Sequence, residues 1–344
     1  MTDGQFVRRA FFVALVAALF AVLWALSEIL LLIFAAILLA VVLRAIAERF
    51  SFHTHASQRW SLLIAATVLF GLLAVAVFLF GSQLSAQFQQ LVSQLHAVQD
   101  TLTGYVGSER IKNLLGGDSV GTLFLRVLSW GTTAMAAVAG LVLVIIAGIY
   151  MAMTPAVYRE GFIKLFPIEW HDRIGATLDD SASALRLWLG AQMAAMAIVG
   201  VLIGLGALLL GLPSPLALGL IFGLCEFVPV VGPIVGAVPV LIVALGEGWE
   251  PALWALGLVI VIQQLEGNVI IPLIAGHAVR LPPAVGLFSV IAMGVLFGPL
   301  GLAVGYPLAV VCDVAVRRLY VREALGEEVE IVGEESRAEQ VMRN

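Results

Sequence analysis

Two carboxylates, Glu226 and Glu266, occur inside long apolar stretches of the sequence. An ionisable side chain at membrane depth is costly unless it is paired, hydrated or protonated, so such residues commonly mark the path of an ion or a polar solute. Three amides, Gln263, Gln264 and Asn268, flank Glu266. At about 100° per residue, these side chains cover roughly half of a helix's circumference, which indicates a helix that faces a polar cavity. We therefore predict that Glu266 carries a proton or cation. The alternative is that each carboxylate caps a backbone N–H near a helix break or lies at the membrane interface.

Glu226 has a different setting, because it begins a segment rich in proline and glycine. Residues 200–307 hold 18 of the 34 glycines and 11 of the 13 prolines. Broken helices at membrane depth are tolerated where they line a cavity. The apolar stretches 216–227 and 234–245 are each too short for a bilayer core of roughly 30 Å. They predict a re-entrant hairpin with Glu226 at its tip, acting as a gate through its conformation.

A second hairpin is predicted from a similar pattern farther along the chain. Its arms are residues 285–297 and 302–316, and one full span, 252–271, separates it from the first hairpin. The parts that must bend are the two tips and the polar end of the span. The predicted tips and hinges are Pro229, Gly232, Pro233, Gly267, Pro272, Gly298, Pro299 and Gly301.

The composition explains why these polar residues stand out. The 344 residues are 61% hydrophobic and 12% charged, whereas soluble domains are about 25% charged. This composition excludes an ordinary soluble enzyme. The apolar runs predict an all-α polytopic integral membrane protein with about six full spans and two short re-entrant hairpins, roughly eight membrane segments in all. Ser27 and Glu28 are predicted to divide the first long apolar stretch into two spans.

Basic residues predict which segments face the cytoplasm, because Lys and Arg are enriched there. They are sparse in the segment predicted to lie outside and frequent in the segments predicted to lie inside. The predicted organisation is residues 1–80, N-terminal spans; 81–131, an extracytoplasmic helical segment; 132–154, a span; 155–186, a cytoplasmic amphipathic loop; 187–316, a transport core with broken helices; and 317–344, an acidic cytoplasmic tail, solvated from Glu323 onward.

The outer segment carries a heptad pattern typical of a helix with an apolar seam. One interpretation is that the seam pairs with copies of the same chain and forms a homo-oligomer. The other is that the helix folds onto a small external domain of its own protomer. The residues of the predicted oligomer seam are Leu84, Phe88, Leu91, Leu95, Val98 and Leu102, and Tyr105 continues the pattern as its seventh residue.

A set of short motifs between residues 185 and 316 carries a family resemblance. The motifs are Gly190-Ala191-Gln192, Gly211-Leu212-Pro213, the tip 226–233, the run 263–268 followed by Pro272, Leu281-Pro282-Pro283, the run 297–301, and Pro307. In this order the chain resembles the autoinducer-2 exporter (AI-2E) family of bacterial membrane proteins, and the first 180 residues resemble it in layout. The resemblance implies a multi-pass protein of the bacterial cell membrane that exports a small polar signalling molecule. Other members of the family are assigned to cation/proton antiport.

Several functions are compatible with these residues. The first is a secondary transporter exporting a small polar organic solute, coupled to H⁺ or Na⁺ or facilitated. The second is a Na⁺/H⁺ antiporter, in which the carboxylates and amides bind ions alone. The third is a membrane scaffold, which would leave the polar face around Glu266 unexplained. The sequence does not separate the first two.

Motifs of other classes are missing from the sequence. It contains no HExxH pair and no GxxxxGK[ST] loop, and we expect neither an enzyme nor an ATP-driven pump. The two cysteines, Cys225 and Cys312, cannot form a CxxC metal site. We therefore expect no cofactor, no metal centre and no nucleic-acid partner. The expected partners are the lipid bilayer, the solute, the coupling ion and further copies of the chain.

Overall fold

The computed structural model describes residues 3–54, 57, 60–71, 74–75, 139–275, 281–331 and 334, and the secondary structure of these residues is helical. Two π-helical segments, Glu266–Ile270 and Val316–Arg322, and a 3₁₀ turn, Ile168–Trp170, interrupt or extend the α-helices. The α-helices are α1 (Asp3–Ala25), α2 (Ser27–Thr54), α3 (Trp60–Gly71), α4 (Ala139–Met153), α5 (Pro155–Ile163), α6 (His171–Leu209), α7 (Pro215–Cys225), α8 (Val231–Glu247), α9 (Trp249–Leu265), α10 (Ile271–Ala275) and α11 (Pro283–Ala315).

Four helical stretches of the described chain are long and apolar enough to cross a membrane, and a fifth is obtained if α4 and α5 are counted as one span bent by 91°. The four stretches are Ser27–Ser51, Ile168–Leu209, Trp249–Ile274 and Pro283–Arg322. The prediction of an all-α membrane protein is confirmed. The described residues do not confirm the predicted count of about eight segments, which stays a prediction.

The predicted division of the first apolar stretch falls close to a real interruption. The helix breaks for one residue at Leu26, next to Ser27, but backbone hydrogen bonds of 2.9 Å still run from Leu26 N to Val22 O and from Leu30 N to Leu26 O. α2 alone has 28 residues, or about 42 Å of helix, more than a bilayer core requires.

α6 is the axis around which the described part of the core is arranged. Its 39 residues make about 58 Å of helix, so it extends well beyond the hydrocarbon layer. Its N-terminal part belongs to the predicted cytoplasmic loop, and no break separates that part from the span at Arg186. An ion pair joins the fully buried Asp180 of α6 to Arg318, beyond the end of α11. Arg186 also pairs with Glu48 of α2 at 2.9 Å.

The first predicted hairpin is present as α7 and α8, with 11 and 17 residues. α7 crosses α6 where two glycine pairs meet. A Cβ atom placed on Gly223 would lie 3.1 Å from the Cα of Gly200, and one on Gly219 would lie 2.9 Å from the Cα of Gly204. Gly200 and Gly204 in α6 have GxxxG spacing, as do Gly219 and Gly223 in α7. This spacing lets two membrane helices approach backbone to backbone. The short helices are therefore held by close packing against a full span.

The second predicted hairpin is also present, because α11 is broken at Gly298. Gly298 has φ 64° and ψ −146°, a conformation that a residue with a side chain rarely adopts. The arms then fold together: a Cβ on Gly305 would lie 3.0 Å from the Cα of Val290, and Gly301 packs on the backbone of Met293. The bend predicted at the segment containing Gly298 and Gly301 is where the structure has it.

The start of the C-terminal tail packs against the core beside the end of α11. Arg322 binds both carboxylate oxygens of Glu334 at 2.9 Å and the carbonyl oxygen of Val329 at 2.8 Å. Ile331 is buried in the apolar cluster that contains Leu185 of α6. The expectation of a solvated tail is wrong for Ile331, because an apolar side chain within an acidic segment gains free energy by burial.

Candidate transport site

A cavity of about 350 Å³ lies among α6, the tip of the first hairpin, the π-helical segment after α9, and the second hairpin. Its walls combine a few polar side chains with apolar and aromatic ones, which is the usual make-up of a small-molecule site. The lining residues are Trp188, Ala191, Gln192, Ala195, Glu226, Pro229, Val230, Pro233, Gln263, Glu266, Gly267, Ile271, Ile274 and Tyr306.

The tip of the first hairpin positions Glu226. The residue follows α7 directly, and its side chain is 2% exposed. The backbone then turns through Val230, which has φ 71°, a conformation that is strained for a β-branched residue. Gly232 packs against the end of α7, where a Cβ would lie 2.9 Å from the Cα of Glu226. The tip is therefore a tight turn that has no room for a side chain at position 232. This turn fixes the direction of Glu226.

A π-helical segment positions Glu266. α9 ends at Leu265, and the five residues that follow form a wider turn in which Glu266 is 7% exposed. Pro272, a predicted hinge, lacks an N–H, and its ring would clash with the carbonyl of Asn268 in a regular α-helix, which accounts for the irregular turn. Such π-helical turns occur frequently at functional sites.

The two carboxyl groups meet in the cavity. The side chains of Glu226 and Glu266 lie close enough to interact, and Gln263 donates from Nε2 to Glu226 Oε2 over 3.5 Å. We call Glu226 and Glu266 the acid pair. Two neighbouring carboxylates repel each other, so a pair of this kind is stabilised by a bound proton or cation.

Gln192 of α6 connects the long helix to the hairpin tip. Its Nε2 donates to the backbone carbonyl oxygen of Glu226 at 2.6 Å, and its side chain is 7% exposed. Because a carbonyl oxygen can only accept a hydrogen bond, the amide nitrogen of Gln192 faces Glu226. The other polar atom of the amide, Oε1, takes no part in this bond. This bond ties the position of the acid pair to α6.

An aromatic wall completes the cavity. The rings of Trp188 and Tyr306 are stacked with centroids 5.3 Å apart and planes 18° apart, and Phe227 meets Trp188 edge-on at 6.2 Å. Trp188 belongs to α6, Phe227 to the first hairpin and Tyr306 to the second. We call Trp188 and Tyr306 the aromatic wall. Both hairpins therefore meet on one face of α6.

The structure divides the polar residues that the sequence placed around Glu266. Gln263 and Gly267 line the cavity with it. Gln264 and Asn268 are exposed on another face, where Asn268 Nδ2 donates to Gln264 Oε1 at 3.2 Å and to the backbone oxygen of Gln264 at 2.9 Å. These two residues do not line the cavity, and the amide nitrogen of Asn268 is bonded to Gln264 instead.

Other predicted residues fall into three groups. Pro229 and Pro233 line the cavity, and Pro272 follows the lining residue Ile271. The second hairpin's Gly298, Pro299 and Gly301 are absent from the lining described above. The predicted seam lies outside the described residues; it comprises Leu84, Phe88, Leu91, Leu95, Val98 and Leu102.

Among the polar and aromatic lining residues, Trp188, Gln192 and Tyr306 were not predicted as site residues. Trp188 and Gln192 are four residues apart and so share a face of α6. A glutamine on the same face as a tryptophan inside an apolar run was the available signal. Tyr306 had no comparable signal, since only the fold of the second hairpin brings it to the cavity.

Apolar spans, two broken hairpins and a cavity that holds two carboxyl groups are the features of a membrane transport protein. The sequence model of the AI-2E family transporters matches residues 12–320. The chain belongs to this family.

Named relatives agree with this class. The chain is 32% identical to YrrI of Bacillus subtilis over 48% of its own length and 47% of that protein, and 30% identical to YueF of the same organism over 45% and 38%. It is 26% identical to YhhT of Escherichia coli over 74% and 72%. Each of the three has the name "Putative transport protein". The chain spans about half or less of the two Bacillus proteins.

Proposed function

We propose that this protein is a secondary transporter that exports a small polar organic solute by alternating access, driven by a proton or sodium gradient. The observation that carries the proposal is the acid pair inside a cavity of about 350 Å³. The cavity has room for a solute beside the carboxyl groups, which a site for a bare ion does not need. The acid pair, on a hairpin tip and a π-helical turn, would take up and release the coupling ion as the hairpins move.

A Na⁺/H⁺ antiporter is the second candidate. Glu226 and Glu266 supply carboxylate oxygen atoms in one cavity, and hard cations prefer oxygen ligands. This function would use the acid pair and leave the aromatic wall without a role, so we rank it second.

The two functions are separated by measuring solutes in cells with and without the protein. We expect expression to lower the intracellular level of a subset of small polar metabolites, measured by mass spectrometry. The effect should disappear when the pH gradient is collapsed with nigericin. A parallel measurement with valinomycin, which collapses the membrane potential, tests whether the potential contributes. If no metabolite changes and Na⁺ alone drives a pH-dye response in proteoliposomes, the antiporter function is correct.

We also propose that the protein is a homo-oligomer in the bacterial plasma membrane, held partly by the seam that includes Leu91 and Leu95. An apolar stripe of seven residues in water would be unstable without a partner surface. Replacing Leu91 and Leu95 together by Ser should lower the mass of the detergent-solubilised particle, measured by light scattering with detergent subtracted. An unchanged mass would assign the stripe to packing within one protomer.

A further inference from the structure

The charges around the cavity are of one sign. Its ionisable acidic side chains are Glu226 and Glu266, and the described lining contains no Lys, Arg or His. An anion entering this cavity would meet the acid pair without a compensating positive group, whereas a cation would be stabilised by it. Intramembrane carboxylates serve as counter-ions for bound cationic ligands in this way.

The side-chain oxygen of Gln192, Oε1, also favours a cationic ligand. The Gln192 side chain is 93% buried, and its amide nitrogen is occupied by the carbonyl oxygen of Glu226. Its Oε1 has no hydrogen-bond donor among the described residues, and Gln192 lines the cavity. A free acceptor beside two carboxyl groups calls for a ligand that donates, as an ammonium N–H does.

The aromatic wall suits the rest of such a ligand. The stacked rings of Trp188 and Tyr306 line the cavity and supply apolar surface for the carbon atoms of a ligand. A volume of about 350 Å³ has room for roughly a dozen non-hydrogen atoms, at about 30 Å³ each. A metal ion alone would leave most of that volume unfilled.

We propose that the cavity takes a small organic cation, an ammonium that carries an aromatic or apolar group, and that this cation exchanges with the proton held by Glu226 and Glu266. The inference rests on the proposed function, and it narrows the solute from a polar molecule to a cation. When the ammonium binds, the acid pair releases its proton, so the two carboxylates never face each other without a positive charge. One cation leaving the cell is thereby coupled to a proton entering it.

The test is a charge series measured on the unmodified protein. Tyramine, its neutral analogue tyrosol and the anion 4-hydroxyphenylacetate have the same ring and similar size but differ in charge. We expect calorimetry to show tyramine binding on the order of thirtyfold or more tighter than either analogue, the difference expected for a desolvated charge pair. Titrations in two buffers of different ionisation enthalpy should show release of about one proton per tyramine and none with tyrosol. Tyramine binding should weaken as the pH falls, because the proton competes for the same carboxylates.

Two single substitutions test whether the preference for a cation depends on Glu266. Glu266→Gln should lower tyramine affinity by a similar factor, while Glu250→Gln should leave it unchanged. Glu250 lies exposed on α9, about 24 Å along the helix from Glu266, so this control removes an equal charge from the same element. If Glu266→Gln does not purify as a folded protein, the charge series and the proton count on the unmodified protein still decide.

Equal binding of tyrosol and tyramine, no tighter binding of the cation, or an equal loss in Glu250→Gln would each overturn the inference. Exchange of radiolabelled probes in proteoliposomes tests the proposed function separately. Tyramine that binds with proton release but is not exchanged would support the cation site and contradict transport. Uphill exchange of a neutral solute that depends on Glu266 would support transport and overturn the cation site.

Discussion

Replacing Glu266 by glutamine should abolish transport against a gradient while sparing exchange when saturating solute is present on both sides. The substitution keeps the shape of the side chain and its capacity to hydrogen-bond to Glu226, but it removes the titratable group. A carrier that couples two gradients must change the occupancy of its coupling site during the cycle, and a glutamine cannot take up or release a proton. The solute should therefore reach equilibrium across the membrane and accumulate no further.

The measurement compares uptake of labelled solute into proteoliposomes under an imposed pH gradient with counterflow at equal pH. Glu250→Gln is the matched control, since it removes an exposed carboxylate from the same helix. We expect this control to transport uphill at the normal rate. Uphill transport by Glu266→Gln at the normal rate would show that Glu266 has a structural role and that coupling occurs elsewhere.

The contact within the acid pair changes what is expected of Glu226. Taken alone, the sequence assigned coupling to Glu266 and a conformational role to Glu226. Because the two carboxyl groups interact in one cavity, we expect them to bind and release protons as one unit. Glu226→Gln should then lose coupling as well, and the double variant should lose little more than either single one, as is typical of residues that act together. A Glu226→Gln protein that keeps full pH dependence would instead support the separate gating role.

The sequence predicted the elements of this site because their signals are local. Apolar stretches too short to span a bilayer, interrupted by glycine and proline, predicted both hairpins, and the break at Gly298 lies where it was expected. The rarity of carboxylates in apolar sequence singled out Glu226 and Glu266, which share the cavity. Each of these signals is contained within a dozen neighbouring residues.

What the sequence could not predict depends on long-range packing or on helix irregularity. A regular α-helix projects a broad polar face around Glu266, but packing brings only one amide, Gln263, to the cavity beside it, and Gln264 and Asn268 face away. Tyr306 meets Trp188 only because the second hairpin folds back on α6. The pairing of glycines between α6 and α7 is likewise absent from any single segment of sequence.

A second large effect, on the stability of the protein, is expected from substitutions of the glycines between α6 and α7. Gly219→Ala should destabilise the protein, and Gly219→Leu should prevent it from folding. A Cβ on Gly219 would lie 2.9 Å from both the Cα and the N of Gly204 and would also collide with the carbonyl oxygen of Gly200. These are backbone atoms of a packed helix, so no side chain can rotate away. Overpacking of this kind costs about 1–3 kcal/mol for small additions, which outweighs the roughly 1 kcal/mol that alanine gains over glycine in a helix.

The measurement is the temperature at which the detergent-solubilised protein loses its monodisperse peak in size-exclusion chromatography. Gly257→Ala is the matched control, because Gly257 lies in α9 with no atom within 4 Å of its ideal Cβ position. That control should keep or raise the temperature through helix propensity alone. A Gly219→Ala protein as stable as Gly257→Ala would mean that α6 and α7 do not pack backbone to backbone. The first hairpin would then be free to move away from the span that carries Gln192, and the acid pair would lose the support that α6 gives it.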